Sequence, residues 1–322
     1  MIEVSEDAEA YRSQIDGLLF DMDGVLIDIS QSIRVINNLA VTHYLRDVLG
    51  WEAPENLLTS SDIELFKNAG GFNDDIDLTC AIVLHYLAKE NEHPGASLET
   101  LNVFQPNLGR YARRIKERGG GLKAAEQICV ERLSSDDRIK ILGAYRKPVI
   151  AQVYNELFGG DECEDLYGYP RKYYFGPGYW EQDKGIIDPE KLKRISADFK
   201  LGLLTGRTTA ETKLGLKVAQ IDTIIGMDSV ATSGTHAKKP DPRGLRALVD
   251  RLVIKAGIYV GDTVDDLQTV LNYRKQYPDA PHMLGALVLS GPMGEANAKK
   301  YRKSLADIVA SDVNEILRWV AG

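Results

Sequence analysis

From about residue 186 onward, short apolar runs alternate with amphipathic stretches, and this alternation constrains the fold more than any other feature of the chain. Runs at 200–205, 222–226, 257–261 and 284–289 read as buried strands, and the stretches near 208–219, 242–253, 264–276 and 304–320 as helices. Asp188-Pro189-Glu190 opens a further helix with proline at its first position. Strands separated by helices cannot pair as hairpins. They form a parallel sheet with helices on both faces. Far upstream, residues 15–21 carry the same buried-strand pattern.

Between these two regions the period changes. From Ser30, the residues Ile33, Ile36, Ala40, Tyr44 and Val48 fit one face of a helix reaching about Leu49. Ser61-Asp62-Ile63-Glu64 is a capping-box pattern, and Gly70-Gly71 stops the helix it opens. Asn73 or Asp74 N-caps a helix running through Leu78, Ile82 and Tyr86. Further helical stretches cover about 108–117, 122–133 and 136–157, with Gly119-Gly120-Gly121 as a break. Little here alternates with period two, so the block reads as all-helical. The predicted fold is α/β: a Rossmann-like, doubly wound parallel sheet from residues 1–29 and 186–322, with a helical domain, 30–185, inserted after the first core strand. A chain of 322 residues can fill two such cores.

The apolar runs end in chemically useful residues. In Leu18-Leu19-Phe20-Asp21-Met22-Asp23-Gly24, two carboxylates follow a strand at i and i+2 and so begin on the same side. That is the carboxyl end, where open α/β sheets place their sites. Close carboxylates repel unless a cation joins them, and Mg²⁺ is the hard divalent ion that suits. A plain Asp-Gly turn accounts for the same residues without chemistry. Leu201-Gly202-Leu203-Leu204-Thr205-Gly206-Arg207 ends in a hydroxyl and a glycine. His236-Ala237-Lys238-Lys239-Pro240-Asp241-Pro242 sets a lysine before a rigid Pro-x-Pro turn. Gly257-Ile258-Tyr259-Val260-Gly261-Asp262-Thr263-Val264-Asp265-Asp266 ends in an acidic cluster that can also cap the next helix.

In order, these are a carboxylate pair, a hydroxyl, a lysine and an acidic cluster. They resemble the four-motif signature of the haloacid dehalogenase superfamily, in its phosphatase branch, subfamily I. The matched motifs lie within 15–28 and 200–270, and the helical middle carries none of them. The resemblance implies that Asp21 is the nucleophile and forms an aspartyl-phosphate, with Asp23 as general acid and base and its backbone carbonyl a metal ligand. It implies Mg²⁺ as cofactor, with Asp21 and Asp262 as direct ligands and Asp266 acting through a water or by orienting Lys239. Thr205 and the backbone near Gly206 would donate to the phosphoryl group. Lys239, rather than its neighbour Lys238, would hold Asp21 ionised, because Lys-Pro-x-Pro matches the family pattern. The dehalogenase branch lacks the second aspartate and uses no metal, so Asp23 favours phosphoryl chemistry.

An insert just after the first motif implies a type-one cap that closes over the active site, and the roughly thirty residues between Arg207 and Lys239 leave little room for a second cap. The insert exceeds a minimal four-helix cap, so its surplus is available for substrate choice or for contact between two copies in a homodimer. In type-one caps a loop between early helices points into the cleft. Here that loop is Lys67-Asn68-Ala69-Gly70-Gly71-Phe72-Asn73-Asp74-Asp75, which makes Asn73, Asp74 and Asp75 candidate substrate-binding residues beside Gly206 and Arg207. A plain helix–helix connection is the alternative for the loop, and a surface position for Arg207. The aromatic loop 173–180 reads as packing where the chain returns to the core, with substrate contact as the alternative.

Composition narrows the substrate. Lys and Arg total 39 against 47 Asp and Glu, a net charge of −8 with no long basic run. That disfavours nucleic acid and anionic membrane as partners. No apolar segment approaches the roughly 20 residues that span a bilayer, and the acidic N-terminus lacks a signal-peptide pattern. Cys80, Cys129 and Cys163 are widely spaced thiols suited to a reducing compartment, and the expected location is cytoplasmic. The five histidines show no metal-ligand spacing. The expected function is Mg²⁺-dependent hydrolysis of a small phosphate monoester. A phosphomutase shares every motif, and a non-catalytic metabolite-binding protein could use the same fold. An acidic cap loop would favour an amino-alcohol or sugar phosphate over a phosphorylated carboxylic acid such as phosphoglycolate.

Overall fold

The structure, a computed structural model, describes residues 2–55, 57–72, 74–131, 133–236, 238–291 and 305–322. The chain divides into two compact units, one from Met1–Ile29 with Asp183–Gly322 and the other from Ser30–Gln182. The second seam thus lies at Asp183, three residues before the boundary at 186 read from the sequence.

The first unit is built on a seven-stranded sheet. Its strands are β1 (Ile2–Val4), β2 (Gly17–Phe20), β5 (Lys200–Leu204), β6 (Val230–Ala231), β7 (Ala256–Gly261), β8 (His282–Val288) and β9 (Ile308–Ala310). Two more, β3 (Ile27–Asp28) and β4 (Lys184–Gly185), pair antiparallel as a separate ribbon. The sheet order is β1-β9-β8-β7-β2-β5-β6. All neighbours are parallel except β1, which lies antiparallel on β9.

Successive residues of a strand point to opposite faces, and the core splits accordingly. Leu18, Phe20, Leu203, Ile258 and Val260 pack on one face with Leu192, Leu216, Ile316 and Leu317 from helices Pro189–Ile195, Thr209–Val218 and Val313–Ala321. Leu19, Leu204 and Tyr259 pack on the other with Leu245, Leu248 and Val270 from helices Arg243–Arg251 and Val264–Gln276. Burial on both faces is why these strands are apolar throughout rather than alternating.

Within the first unit, two elements read from sequence differ from the structure. The run 222–226 is not a strand: Ile224 and Ile225 donate to the carbonyl of Ile221, folding the segment into turns, while the edge strand is Val230–Ala231. Of its apolar residues Ile225 is buried and Ile224 half-buried, and burial rather than strand pairing explains them. The stretch near 304–320 holds a strand, β9, before its helix, which Asp312 caps through the amides of Asn314 and Glu315. Part of that stretch lies outside the described residues.

The second unit is helical. Helices Ile33–His43, Ser60–Ala69, Asp75–Glu92, Leu108–Glu117 and Gly121–Val130 enclose a core that includes Tyr44, Phe66, Ile82, Tyr86 and Ile115. The capping box opening the second of these uses Thr59 and Asp62, not Ser61 and Glu64: Thr59 accepts from Asp62 N, and Asp62 accepts from Thr59 N at 2.8 Å. The stretch 136–157 is two helices, Ser135–Ala144 and Lys147–Gly159, with Pro148 in the first turn of the second. Tyr44 bridges the break. Its hydroxyl donates to Ala144 O at 2.6 Å and accepts from Arg146 N at 3.0 Å. Among the described residues no helix is long and apolar enough to cross a membrane.

Candidate active site

Sheet register decides which strand ends meet. β2 lies between β5 and β7, with Phe20 opposite Leu203 on one side and Val260 on the other. Asp21, Thr205 and Asp262 therefore leave the sheet at adjacent carboxyl ends. Asp21 N donates to Val260 O at 2.8 Å and Thr205 N to Ala231 O at 3.0 Å, which extends the ladder up to the site.

Asp21 is buried, and Lys239 Nζ lies 2.8 Å from its Oδ2. The same ammonium is 2.7 Å from Asp266 Oδ1. Asp266 is fixed by the start of helix Val264–Gln276. Thr263 is the N-cap, and Asp266, at the third helical position, accepts from Thr263 N at 3.0 Å and Thr263 Oγ1 at 2.6 Å through Oδ2. Its Oδ1 also accepts from the Tyr259 hydroxyl at 2.9 Å. A carboxylate offers about four lone-pair sites, and these four donors use them. Asp266 accordingly lies in position to orient Lys239, one of the two roles that the resemblance implies for it. Tyr259 escaped the sequence reading. Its signal was a tyrosine in an otherwise aliphatic strand, whose buried hydroxyl needs a partner.

The charges do not balance. One lysine faces the carboxylates of Asp21, Asp262 and Asp266, which bring oxygens within 4.8 Å of one another. Burial pushes Asp21 up to about 7 against the pull of Lys239, with Asp266 and Asp23 adding repulsion. Burial also drives Asp262 well above the ordinary carboxylate range, again reinforced by Asp266 and Asp21. Burial would raise Asp266 too, but Lys239 outweighs it and holds that carboxyl low. The lysine answers in kind: burial alone would lower it, yet Asp21 and Asp266 carry it well above its usual value.

A divalent cation fits this surplus. Asp262 Oδ1 is buried with no hydrogen-bond partner among the described residues. Gly24, at φ +74°, passes so close that a Cβ there would stand 2.5 Å from Asp262 Oδ2. The loop after the first motif thus keeps side chains away from the carboxylate. Ser290 Oγ holds it by donating to Gly24 O at 2.7 Å. Hard oxygen donors with net negative charge are what Mg²⁺ selects.

Thr205 is buried, and its Oγ1 accepts from Arg207 N at 3.2 Å, which leaves the hydroxyl proton free to point elsewhere. At Gly206 a Cβ would meet nothing within 4 Å. Arg207 is not a surface arginine: it is 6% exposed. Its Nε is 2.9 Å from Asp23 Oδ1, and its Nη2 is 2.8 Å from the same oxygen and 3.2 Å from Asp183 Oδ2. Asp183, just before β4, was not singled out in the sequence. A single buried aspartate far from every motif gave no signal. Lys238 is exposed, unlike Lys239.

The proposed specificity loop has internal work in the helical unit. Asp74 caps helix Asp75–Glu92 by accepting from Ile76 N at 3.0 Å. Asp75 pairs with Lys67 at 3.0 Å and accepts from Asn37 Nδ2 at 2.8 Å. The glycines serve close packing: Gly121 N donates to Gly70 O at 2.8 Å, and a Cβ on Gly120 would stand 2.4 Å from that carbonyl oxygen. Asn73 lies outside the described residues. Asp74 thus serves the helix start, and Asp75 ties it to Lys67 and to helix Ile33–His43.

The mostly parallel sheet thus gathers a carboxylate pair, a hydroxyl, an aspartate-held lysine and an Asp262 oxygen with no partner among the described residues into one aspartate-centred site. The model of the haloacid dehalogenase-like hydrolase family matches residues 189–274. A phosphatase from Thermococcus thioreducens, Tt82, is similar in structure, with 24% identity over 95% of this chain and 99% of that one and a TM-score of 0.63. A structural-genomics target solved by X-ray crystallography has 18% identity over 94% of this chain and 97% of that one, with a TM-score of 0.66. No curated protein sequence matches the chain. The family match thus falls on residues 189–274 of the sheet-bearing unit, and the two solved structures share the fold with this chain.

Proposed function

We propose that the protein hydrolyses a small phosphate monoester, with Mg²⁺, through an aspartyl-phosphate on Asp21. The observation that carries this reading is the buried Asp21 carboxylate, held by Lys239 at 2.8 Å, two residues before a second carboxylate that stays 28% exposed on its side chain. One group can attack while the other transfers protons. The phosphatase from Thermococcus thioreducens, alike in fold, supports the same class of activity.

Asp21 and Asp262, with the backbone carbonyl of Asp23, would hold the cation. Bound there, Mg²⁺ supplies positive charge that lets a carboxylate approach a phosphoryl dianion. The chain's own residues account for the remainder. An Asp21 oxygen bonds to phosphorus as the P–O bond to the leaving group breaks, and the departing oxygen takes the proton of Asp23. Thr205 Oγ and the amide of Gly206 donate to the transferring oxygens, and Lys239 faces them with its charge. In the second half, Asp23 removes a proton from water. The water oxygen bonds to phosphorus, the bond to Asp21 breaks, and free phosphate leaves.

The purified protein should release phosphate from p-nitrophenyl phosphate with Mg²⁺, lose that activity with EDTA, and lose it by at least a hundredfold in Asp21→Asn. Activity surviving both treatments would exclude this mechanism. ³¹P NMR on a sugar-phosphate panel separates hydrolysis from mutase chemistry, because only the latter moves phosphate without releasing it.

A further inference from the structure

We infer that Arg207 is a positioning residue: anchored by the buried carboxylate of Asp183, it holds Asp23 in place for proton transfer rather than binding the substrate's phosphate. This rests on the reading of Asp23 as acid and base. The Thr-Gly-Arg sequence invites the opposite reading, in which the guanidinium reaches into the site. The contacts favour the first. Arg207 approaches both oxygens of Asp23, with Nε at 2.9 Å from Oδ1 and 3.3 Å from Oδ2. Nη2 reaches Asp23 Oδ1 at 2.8 Å and Asp183 Oδ2 at 3.2 Å. The side-chain exposures are 5% for Arg207, 28% for Asp23 and 1% for Asp183. The chain therefore runs from a fully buried anchor, through a buried cation, to a partly exposed carboxylate.

The backbone of Arg207 is held as firmly. Its N–H donates to Thr205 Oγ1, and its carbonyl accepts from Ser233 N at 3.2 Å and Ser233 Oγ at 3.3 Å. Asp23 needs such a fixture. It lies past the end of β2, in a loop that contacts Ile27 through an isolated bridge, beyond the ladder that fixes Asp21. A carboxylate that must face a leaving oxygen and then a water works best when its rotamer is set beforehand. Lysine cannot replace the arginine, because only the planar fork reaches two carboxylates in fixed directions.

The test compares first-turnover rates on two esters, with vanadate binding as a second readout. An alkyl phosphate needs its leaving oxygen protonated, whereas p-nitrophenolate leaves without help. In Arg207→Gln and Asp183→Asn, the first turnover of the alkyl ester should fall at least thirtyfold and that of p-nitrophenyl phosphate less than threefold. Affinity for vanadate, measured calorimetrically with Mg²⁺, should change less than twofold. Arg207→Lys should resemble Arg207→Gln. Equal losses on both esters with weakened vanadate binding would make Arg207 a phosphate ligand and overturn the proposal, as would wild-type rates on both esters. Asp183→Asn keeps the shape of its site, so it reports even where an Arg207 variant fails to fold. A wild-type protein that turns over neither ester overturns the hydrolase reading itself, an outcome distinct from active wild type with unaffected variants.

Discussion

Lys239 shows how much one side chain carries. Its ammonium lies within 2.8 Å of Asp21 and 2.7 Å of Asp266, in a site where both carboxylates are buried. Removing one partner of a buried ion pair leaves a desolvated charge behind, at a cost of about 3–5 kcal/mol. Lys239→Met should therefore lower unfolding stability by about 3 kcal/mol in urea at pH 7 without Mg²⁺. A change under about 1 kcal/mol would mean that the two carboxylates are not held as a charged pair. The exposed neighbour Lys238, changed in the same way, is the comparison.

At the scale of elements, caps and anchors hold the loops. Glu156, wholly buried in helix Lys147–Gly159, is one such anchor. Its Oε1 accepts from Lys172 N at 2.9 Å and Gln152 Nε2 at 2.8 Å, and its Oε2 from Tyr173 N at 2.6 Å and Tyr174 N at 2.8 Å. The aromatic loop is thus pinned through its backbone within the helical unit, leaving Phe175 71% exposed. Glu156→Gln turns one acceptor into a donor facing two part-buried amides, which then lose their partner. Trypsin should then cut after Arg171 or Lys172 well before it does in wild type. Equal cleavage times would show that the loop is held by its side chains instead.

For the whole molecule, each unit has its own hydrophobic core, and acid should weaken the helical one through His85. That ring is 4% exposed, lies against Tyr86 and Tyr111, and has no hydrogen-bond partner for Nε2 among the described residues. Burial first, and nearby Lys89 second, depress it from 6.5 to about 3. The unfolded chain therefore takes up the proton first. The stability linked to this ring is complete above pH 6.5 and is lost as pH falls towards 3, at up to about 1.4 kcal/mol per pH unit. Thermal melts from pH 7.5 to 5 should show this slope, and His85→Phe should flatten it. An unchanged slope would place the acid sensitivity elsewhere.

The sequence by itself determined the features that depend on neighbours along the chain. Short continuous apolar runs marked β2, β5, β7 and β8, because strands buried on both faces need no polar side, and period-3.6 faces marked most helices, because side-chain direction repeats with the backbone. Asp21, Thr205 and Asp262 were legible because each closely follows an apolar run, and Lys239 through the Lys-Pro-x-Pro turn that it opens. Only the tertiary structure decided the rest. The short strands β6 and β9 gain their identity from pairing with β5 and β8, and nothing inside two or three residues encodes a partner. Tyr259, Arg207 and Asp183 matter through contacts that the fold makes: Tyr259 with Asp266, Arg207 with Asp23, and Asp183 with Arg207. Their sequence positions carry no period that links them. Burial made these contacts consequential, because a polar group removed from water must find its partner wherever the fold brings one.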